Sequence, residues 1–234
     1  MIGLTRHSAN CSGRRIVRRL IVFARSGLAA AALGVGAAAA VCILLRRGYD
    51  AASRFVVRPV WADRQEEYVL RRAALTVTVR RTIAAPPEAV FRALTDESCF
   101  SWLPLVSGFR YDDQRREVGA KRVLRTPLLA AREEITCYEE GVRIGHTITG
   151  MSLPLLTSGT EMFALEPGPD GGTQLRWTVS VTPRFIGWLP IRSAESLIRP
   201  VLGGILRGLD SAATWFDDYA AITATTQQRE DTHR

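Results

Sequence analysis

Apolar and polar residues alternate from residue 75 onward, where Leu75, Val77 and Val79 share one side of a segment that runs to Ile83. A period of two predicts a strand with one buried face. Six further segments have the same character: 106–111, 119–126, 133–138, 142–149, 160–165 and 173–182. Most of the turns between them have hairpin length, which favours antiparallel pairing, so we predict one antiparallel sheet of about seven strands.

A helical pattern follows the first strand. Pro86-Pro87 suits a first helical turn, where the missing N–H groups cost nothing. The next segment, Glu88–Leu94, carries its largest apolar residues on one side. Thr95-Asp96 then predicts the cap of a second short helix that ends near Pro104.

The C-terminal region predicts one long amphipathic helix, from about Ser193 to about Ala224. Its apolar stripe has alternating spacings of four and three and consists of Ile198, Leu202, Ile205, Leu209, Ala212, Phe216 and Tyr219. Pro200 marks either a kink or the true start of the helix. Gly203, Gly204 and Gly208 each cost ~1 kcal/mol of helix stability relative to alanine, a cost that close approach of another group would offset.

The order of these elements, with four local motifs, resembles the helix-grip fold of the START-like superfamily, in its polyketide cyclase/dehydrase and lipid-transport branch. The segments that carry the resemblance are Ile83–Asp96 with its alanine-proline turn, Ser101–Pro104, Val118–Val123 and Gly203–Phe216. The resemblance implies an α+β fold in which a curved antiparallel sheet grips the long C-terminal helix, with a cavity between them. Activities in that superfamily range from lipid binding to polyketide cyclisation, so the fold alone does not choose a function.

Residues 27–45 read GLAAAALGVGAAAAVCILL, nineteen residues without a charge. At about 1.5 Å per residue this helix could cross a hydrocarbon core of ~30 Å. Arginines directly after it argue against a cleaved signal peptide, so we predict a single-pass anchor in a bacterial plasma membrane. Five arginines lie within twenty residues on each side, and the positive-inside rule therefore leaves the side of the globular domain undetermined.

The net charge of +8 is concentrated near this apolar segment, because residues 1–64 carry +9 and the remainder carries −1. A nucleic-acid-binding domain would place its basic residues on the folded part, so we predict no nucleic-acid partner. Residues 46–73 mix arginine with apolar and aromatic residues. That mixture suits a segment on the bilayer surface or a linker helix packed on the domain, and the sequence leaves both open.

These observations predict five regions along the chain. They are an Arg-rich tail (1–26), a transmembrane anchor (27–45), a connector (46–73), a helix-grip domain (74–222) and a disordered tail (223–234).

His146 is the candidate catalytic residue. It shares strand parity with Ile144 and Ile148, which directs it to the apolar face. An imidazole in a cavity can act as general acid or base near neutral pH. The alternative that we favour is a neutral core histidine bonded to backbone or to a hydroxyl, because no motif places a carboxylate beside it.

Glu133 has the parity of Ile135, which leaves two interpretations. It is either a buried acid offset by Arg122 or Arg125, or a solvated edge charge, and the second interpretation is favoured.

The predicted ligand-binding residues face the cavity from the strands and the long helix. They are Ile144, His146, Ile148, Trp177, Val179, Leu202, Ile205 and Leu209. The sequence has no P-loop, dinucleotide fingerprint or nucleophile elbow. Cys99 and Cys137 lack metal-ligand spacing, so we predict neither a metal nor a cofactor.

Three functions are consistent with these features. The favoured hypothesis is a membrane-anchored binding protein that holds an apolar small molecule, either a lipid or a polyketide-like compound. The second is a cyclase or dehydratase that uses His146 as general acid or base. The third is a scaffold domain whose core is filled by large side chains.

Overall fold

The computed structural model describes residues 51–127, 129–185 and 191–232. The predicted Arg-rich tail, the predicted anchor at 27–45 and the first residues of the connector lie outside these ranges. Among the described residues, no helix has both the length and the apolar character needed to cross a membrane.

One antiparallel sheet forms the body of the domain. Its strands are β1 (Phe55–Val56), β2 (Leu75–Ile83), β3 (Phe109–Tyr111), β4 (Lys121–Arg125), β5 (Ala130–Glu139), β6 (Arg143–Met151), β7 (Leu156–Pro167) and β8 (Thr173–Pro183). Seven of them follow the spatial order β2-β8-β7-β6-β5-β4-β3. The seven strands expected from alternation are confirmed, and β1 is an addition from the connector.

β1 fills a gap where two central strands separate. The pairing of β6 with β7 ends at Thr147 and Thr160. Beyond that point the N–H of Val57 donates to Thr149 O at 3.1 Å, and the N–H of Arg58 donates to Thr157 O at 2.9 Å. The connector therefore satisfies backbone groups that the separating strands would leave unpaired.

The rest of the connector covers the outer face of the sheet through α1 (Ala62–Glu67) and a π-helical turn, Tyr68–Arg72. The side chain of Gln65 donates to Thr160 Oγ1 at 3.0 Å. The buried Tyr68 hydroxyl lies 2.9 Å from both Ser158 Oγ and Thr182 Oγ1. Of the two interpretations of the connector, the described part is a linker packed on the domain.

The predicted second short helix is wrong. After α2 (Pro87–Thr95), residues 96–105 form successive turns. Phe100 and Leu105 have φ values of +66° and +67°, in the left-handed region that an α-helix does not contain. The Asp96 carboxylate accepts the N–H of Ser98 at 2.8 Å, which closes a local turn in place of a helix cap.

The C-terminal helix is divided, but at Leu206 and not at Pro200. The two parts are α3 (Glu195–Ile205) and α4 (Arg207–Thr232). Helical structure thus extends through residues that the sequence assigned to a disordered tail. The break also moves the buried stripe, because Leu206, Leu209 and Ala213 are fully buried whereas Tyr219 is exposed.

Close packing accounts for Gly208, the glycine that follows this break. A Cβ on Gly208 would overlap the indole ring of Trp102, and the Trp102 Nε1–H donates to Ile205 O at 2.8 Å. The expected close approach is therefore made by an aromatic ring from the 96–105 turns.

The main core lies between the inner face of the sheet, α2 and α4. α4 packs against α2, while α3 lies against the edge strand β2. A Cβ on Gly203 would lie 3.7 Å from Val79 Cγ1, which places α3 on the inner face. Phe163 and Trp177 stack at the centre of this core with their ring centroids 5.2 Å apart.

Candidate functional site

Four polar side chains from four neighbouring strands meet on the inner face. They are Arg122 of β4, Glu133 of β5, His146 of β6 and Glu161 of β7, and we refer to them as the buried quartet. Arg122 lies opposite Glu133, and His146 lies opposite Glu161. The two pairs lie side by side on this face. Glu133 of β5 is opposite Ile148 of β6, and Ile148 is two residues from His146 with its side chain on the same face.

The Arg122 guanidinium is the centre of the quartet. Its Nε donates to Glu133 Oε2 at 2.8 Å, and its Nη2 donates to Glu161 Oε1 at 3.0 Å. Nη2 also lies 3.3 Å from His146 Nδ1, and Nη1 lies 3.5 Å from Leu94 O. One cation thus connects two carboxylates, an imidazole and the C-terminal turn of α2.

Apolar and aromatic groups enclose the quartet. The Arg122 guanidinium carbon lies 3.7 Å from the ring centroid of Phe109, a distance that fits a cation–π contact. On the other side, Trp177 Nε1 donates to Glu161 Oε2 at 3.1 Å. Burial raises the pKa of the nearby Cys99 thiol to about 12, so this cysteine stays protonated and is not a reactive nucleophile.

The pKa shifts follow from burial together with mutual attraction. Burial raises the pKa values of Glu133 and Glu161, and the positive charge of Arg122 only partly opposes that effect. Burial and the charge of Arg122 both hold the pKa of His146 well below its ordinary value. His146 is therefore neutral at physiological pH. Burial disfavours the Arg122 charge, but the surrounding acidic groups outweigh it and raise the pKa of Arg122.

The donor set could be mistaken for a metal site. One ligand atom each from Glu133, His146 and Glu161 lies within 4.8 Å of the others. However, the Arg122 guanidinium already bonds to both carboxylates, and a metal ion between them would meet its positive charge at close range. We assign the cationic role in this cluster to Arg122.

The quartet corrects two expectations. A carboxylate does lie beside His146, because Glu161 Oε1 is 3.2 Å from its Nδ1. Glu133 is a buried acid paired with Arg122, and the favoured interpretation as a solvated edge charge is wrong. Sequence reasoning missed Glu161, although its alternation with Phe163 and Leu165 is the signal that would have directed it inward.

The eight predicted ligand-binding residues divide into two groups. Ile144, His146, Trp177 and Leu209 are almost fully buried in the packed core. Ile148, Val179, Leu202 and Ile205 are half-buried, and we refer to these four as the half-open strip. The deep part of the grip is therefore filled. Val179, Leu202 and Ile205 remain partly uncovered at the margin of the main core, and Ile148 is partly uncovered where it packs against a second cluster around Met151.

Most of the domain lies within a segment that matches a known protein family. The profile of the family described as "Polyketide cyclase / dehydrase and lipid transport" matches residues 74–214. The chain belongs to this family. The match confirms the resemblance drawn from the alanine-proline turn and the closing helix. Membership in the polyketide cyclase/dehydrase family covers β2 to β8, α2, α3 and the first part of α4, but not the connector with its strand β1. No curated protein matches the sequence.

Solved structures resemble the domain at low sequence identity. A START superfamily protein from Mycobacterium smegmatis is 18% identical, with a TM-score of 0.48, over 60% of this chain and 97% of that chain. TTHA0849 from Thermus thermophilus is 18% identical, with a TM-score of 0.49, over 59% of this chain and 97% of that chain. MLL2253 from Mesorhizobium loti is 23% identical, with a TM-score of 0.45, over 58% of this chain and 95% of that chain.

Proposed function

We propose that this domain binds an apolar small molecule, a lipid or a polyketide-like compound, against the half-open strip. The observation that carries the proposal is the contrast within one inner face. Side chains near Phe163 are fully buried, whereas Ile148, Val179 and the apolar residues of α3 keep part of their surface uncovered. Partly uncovered apolar surface beside a packed core is what an apolar ligand would cover.

The scaffold hypothesis accounts for only half of the grip. Phe163, Trp177 and Leu209 fill the deep part, as a filled core requires. Val179 and Leu202 pack against the margin of this core but are only partly covered by it, so they remain half-buried. Binding is favoured over a purely structural role because a fully packed interior would have buried these residues as well.

The family description supports the ligand class. Polyketide cyclases act on polyketide chains and lipid-transport proteins carry lipids, and both kinds of ligand are largely apolar with a few polar groups. The half-open strip provides an apolar surface, and the buried quartet adjoins it with hydrogen-bonding groups, which is the combination typical of small-molecule sites.

Filling the half-open strip with a larger side chain is expected to weaken the binding of an apolar dye strongly. In Val179→Trp the added indole would occupy the uncovered space. The assay measures the fluorescence that diphenylhexatriene gains on mixing with the full-length protein. In the variant this gain should fall at least about fivefold, which is the loss expected when more than ~1 kcal/mol of binding free energy is removed. Val142→Trp is the matched control, since Val142 is 51% exposed at a turn. Equal probe binding by Val179→Trp and the native protein would rule out the strip as the site.

A catalytic role is the second candidate, and the contact between His146 and Glu161 at 3.2 Å is the observation that favours it. His146 itself is 1% exposed and its Nδ1 faces Arg122, so it is poorly placed to meet a substrate. Glu161 is more accessible and its pKa is raised, as suits an acid catalyst. A cyclase or dehydratase of this architecture would use Glu161 as the acid, with His146 as a positioning residue.

We also propose that residues 27–45 anchor the protein in a bacterial plasma membrane. Nineteen uncharged residues between arginines support this. The native protein should stay with the membrane pellet after alkaline carbonate extraction. A Val35→Arg/Ala38→Arg variant should be extracted, because each central arginine costs about 2.5–3.5 kcal/mol on insertion. Ser12→Arg, outside the apolar segment, should behave like the native protein, and release of the native protein by carbonate would end the proposal.

A further inference from the structure

Glu161 lies at the boundary between the buried quartet and the half-open strip. The strand register places His146, Glu161 and Val179 in one row across β6, β7 and β8. The side chain of Glu161 is 14% exposed, compared with 1% for Arg122 and His146 and 9% for Glu133. A molecule lying on Val179 would meet Glu161 before any other member of the quartet.

The Glu161 carboxylate can accept a further hydrogen bond. Its Oε1 accepts from Arg122 and faces His146, while its Oε2 accepts one bond, from Trp177 Nε1. Each carboxylate oxygen has two lone pairs. Among the contacts within the described residues, Oε2 therefore keeps an acceptor position that an incoming donor could use.

Charge favours a donor over an anion at this position. With His146 neutral, the quartet carries one guanidinium and two carboxylates, so its formal charge is −1 when both acids are ionised. The Arg122 nitrogens Nε, Nη1 and Nη2 are each directed at groups of the protein. An anionic headgroup beside Glu161 would meet negative charge at low dielectric, whereas a hydroxyl or ammonium group would complement it.

We propose that Glu161 receives a hydrogen-bond donor of the ligand, so that the domain selects apolar molecules ending in a hydroxyl or amino group over fatty-acid anions. This inference rests on the proposed binding function and adds the polar end of the ligand to it. The apolar part lies on the strip, and the donor reaches Glu161 at the end of the same row of side chains.

Competition against diphenylhexatriene tests the selection with three probes of equal chain length. They are 1-dodecanol, dodecylamine and dodecanoate, added to the full-length protein at pH 8. The signal used is the difference in dye fluorescence between the native protein and the Val179→Trp variant, which reports binding at the strip. Dodecanol and dodecylamine should displace the dye at concentrations about tenfold lower than dodecanoate, the factor expected from one hydrogen bond or charge contact.

The Glu161→Gln variant tests whether the Glu161 carboxylate causes the order in which the three probes compete with the dye. The variant keeps the shape but removes the charge, so dodecanoate should gain about tenfold in competition relative to dodecylamine. Glu166→Gln, an exposed acid on the same strand, should leave the order unchanged. If Glu161→Gln does not fold, the order measured with the native protein decides the matter.

The two proposals fail differently. Dye fluorescence that Val179→Trp does not change would contradict binding at the strip itself. Normal dye binding with dodecanoate competing as well as the amine would leave the binding function intact and overturn the selection by Glu161. The selection by Glu161 would also be overturned if the native protein shows the expected order of competition and a folded Glu161→Gln variant shows the same order.

Discussion

Replacing Arg122 with methionine is expected to lower the free energy of unfolding by ~3–5 kcal/mol at pH 8, because it leaves two buried carboxylates without their cation. The side chain of Arg122 is 1% exposed and bonds to both Glu133 and Glu161, so water cannot take its place without opening the core. Methionine preserves much of the apolar stem, which makes charge the main change. Urea unfolding followed by circular dichroism measures the loss.

The loss should depend on pH with a defined sign. The pKa values of Glu133 and Glu161 are already above the ordinary value of 4.5, and Arg122 is the group that lowers them. Without it they rise further. A carboxyl whose pKa is raised on folding contributes stability below its unfolded pKa and loses it as pH rises through the folded pKa. The variant should therefore be most stable in acid and weaken steadily toward pH 8.

Two further variants separate charge from packing. Adding Glu133→Gln and Glu161→Gln to Arg122→Met removes both unpaired charges, so it should restore much of the stability and remove most of the pH dependence seen in Arg122→Met. Arg110→Met changes an exposed arginine on β3 and should cost less than ~0.5 kcal/mol. An Arg122→Met protein as stable as the native one at pH 8 would mean that the quartet does not hold these charges as described.

Gly208→Ala is expected to destabilise the domain by ~1–3 kcal/mol, although alanine is the better helix former. A Cβ at this position overlaps the Trp102 ring, and the atoms overlapped belong to the base of the indole, which cannot move aside as a flexible tip would. Displacing the ring would also disturb its hydrogen bond to Ile205 O. Thermal or urea unfolding would show the effect.

Gly204→Ala is the matched control for this change. A Cβ at Gly204 has no neighbour within 4 Å, so the same substitution four residues earlier should stabilise α3 by ~0.5–1 kcal/mol. In a Trp102→Ala background, Gly208→Ala should no longer destabilise, since the clash has been removed. Equal effects of the two glycine substitutions in the native background would contradict the contact between Trp102 and Gly208.

Periodic elements were predictable because their signal is local. Strand β2 alternates cleanly from Leu75 to Val79, and α2 follows a proline turn that suits a helix start, so both were found within a few residues of their observed bounds. The break at Leu206 was not found, since it depends on where Trp102 packs. The turns after Asp96 were missed for a similar reason: capping residues look alike in a helix and in a tight turn.

The candidate site could be predicted only in part. Strand parity placed His146 and Trp177 inside, and it offered Arg122 as a partner for a buried Glu133. It could not show that Arg122 and Glu161, thirty-nine residues apart, share a hydrogen bond. Parity defines the face of one strand, whereas the neighbours across that face depend on strand order and register.

The sequence by itself determined the alternating strands, the amphipathic closing helix, the family to which the domain belongs and the inward direction of its histidine. These follow from periods of two and of about 3.6 residues and from local motifs, which need no knowledge of partners. Only the tertiary structure decided that the connector joins the sheet, that the deep part of the grip is filled and that Arg122 pairs with two buried acids. Those features depend on contacts between residues far apart in the chain, and such contacts exist only once the strands have been placed in order.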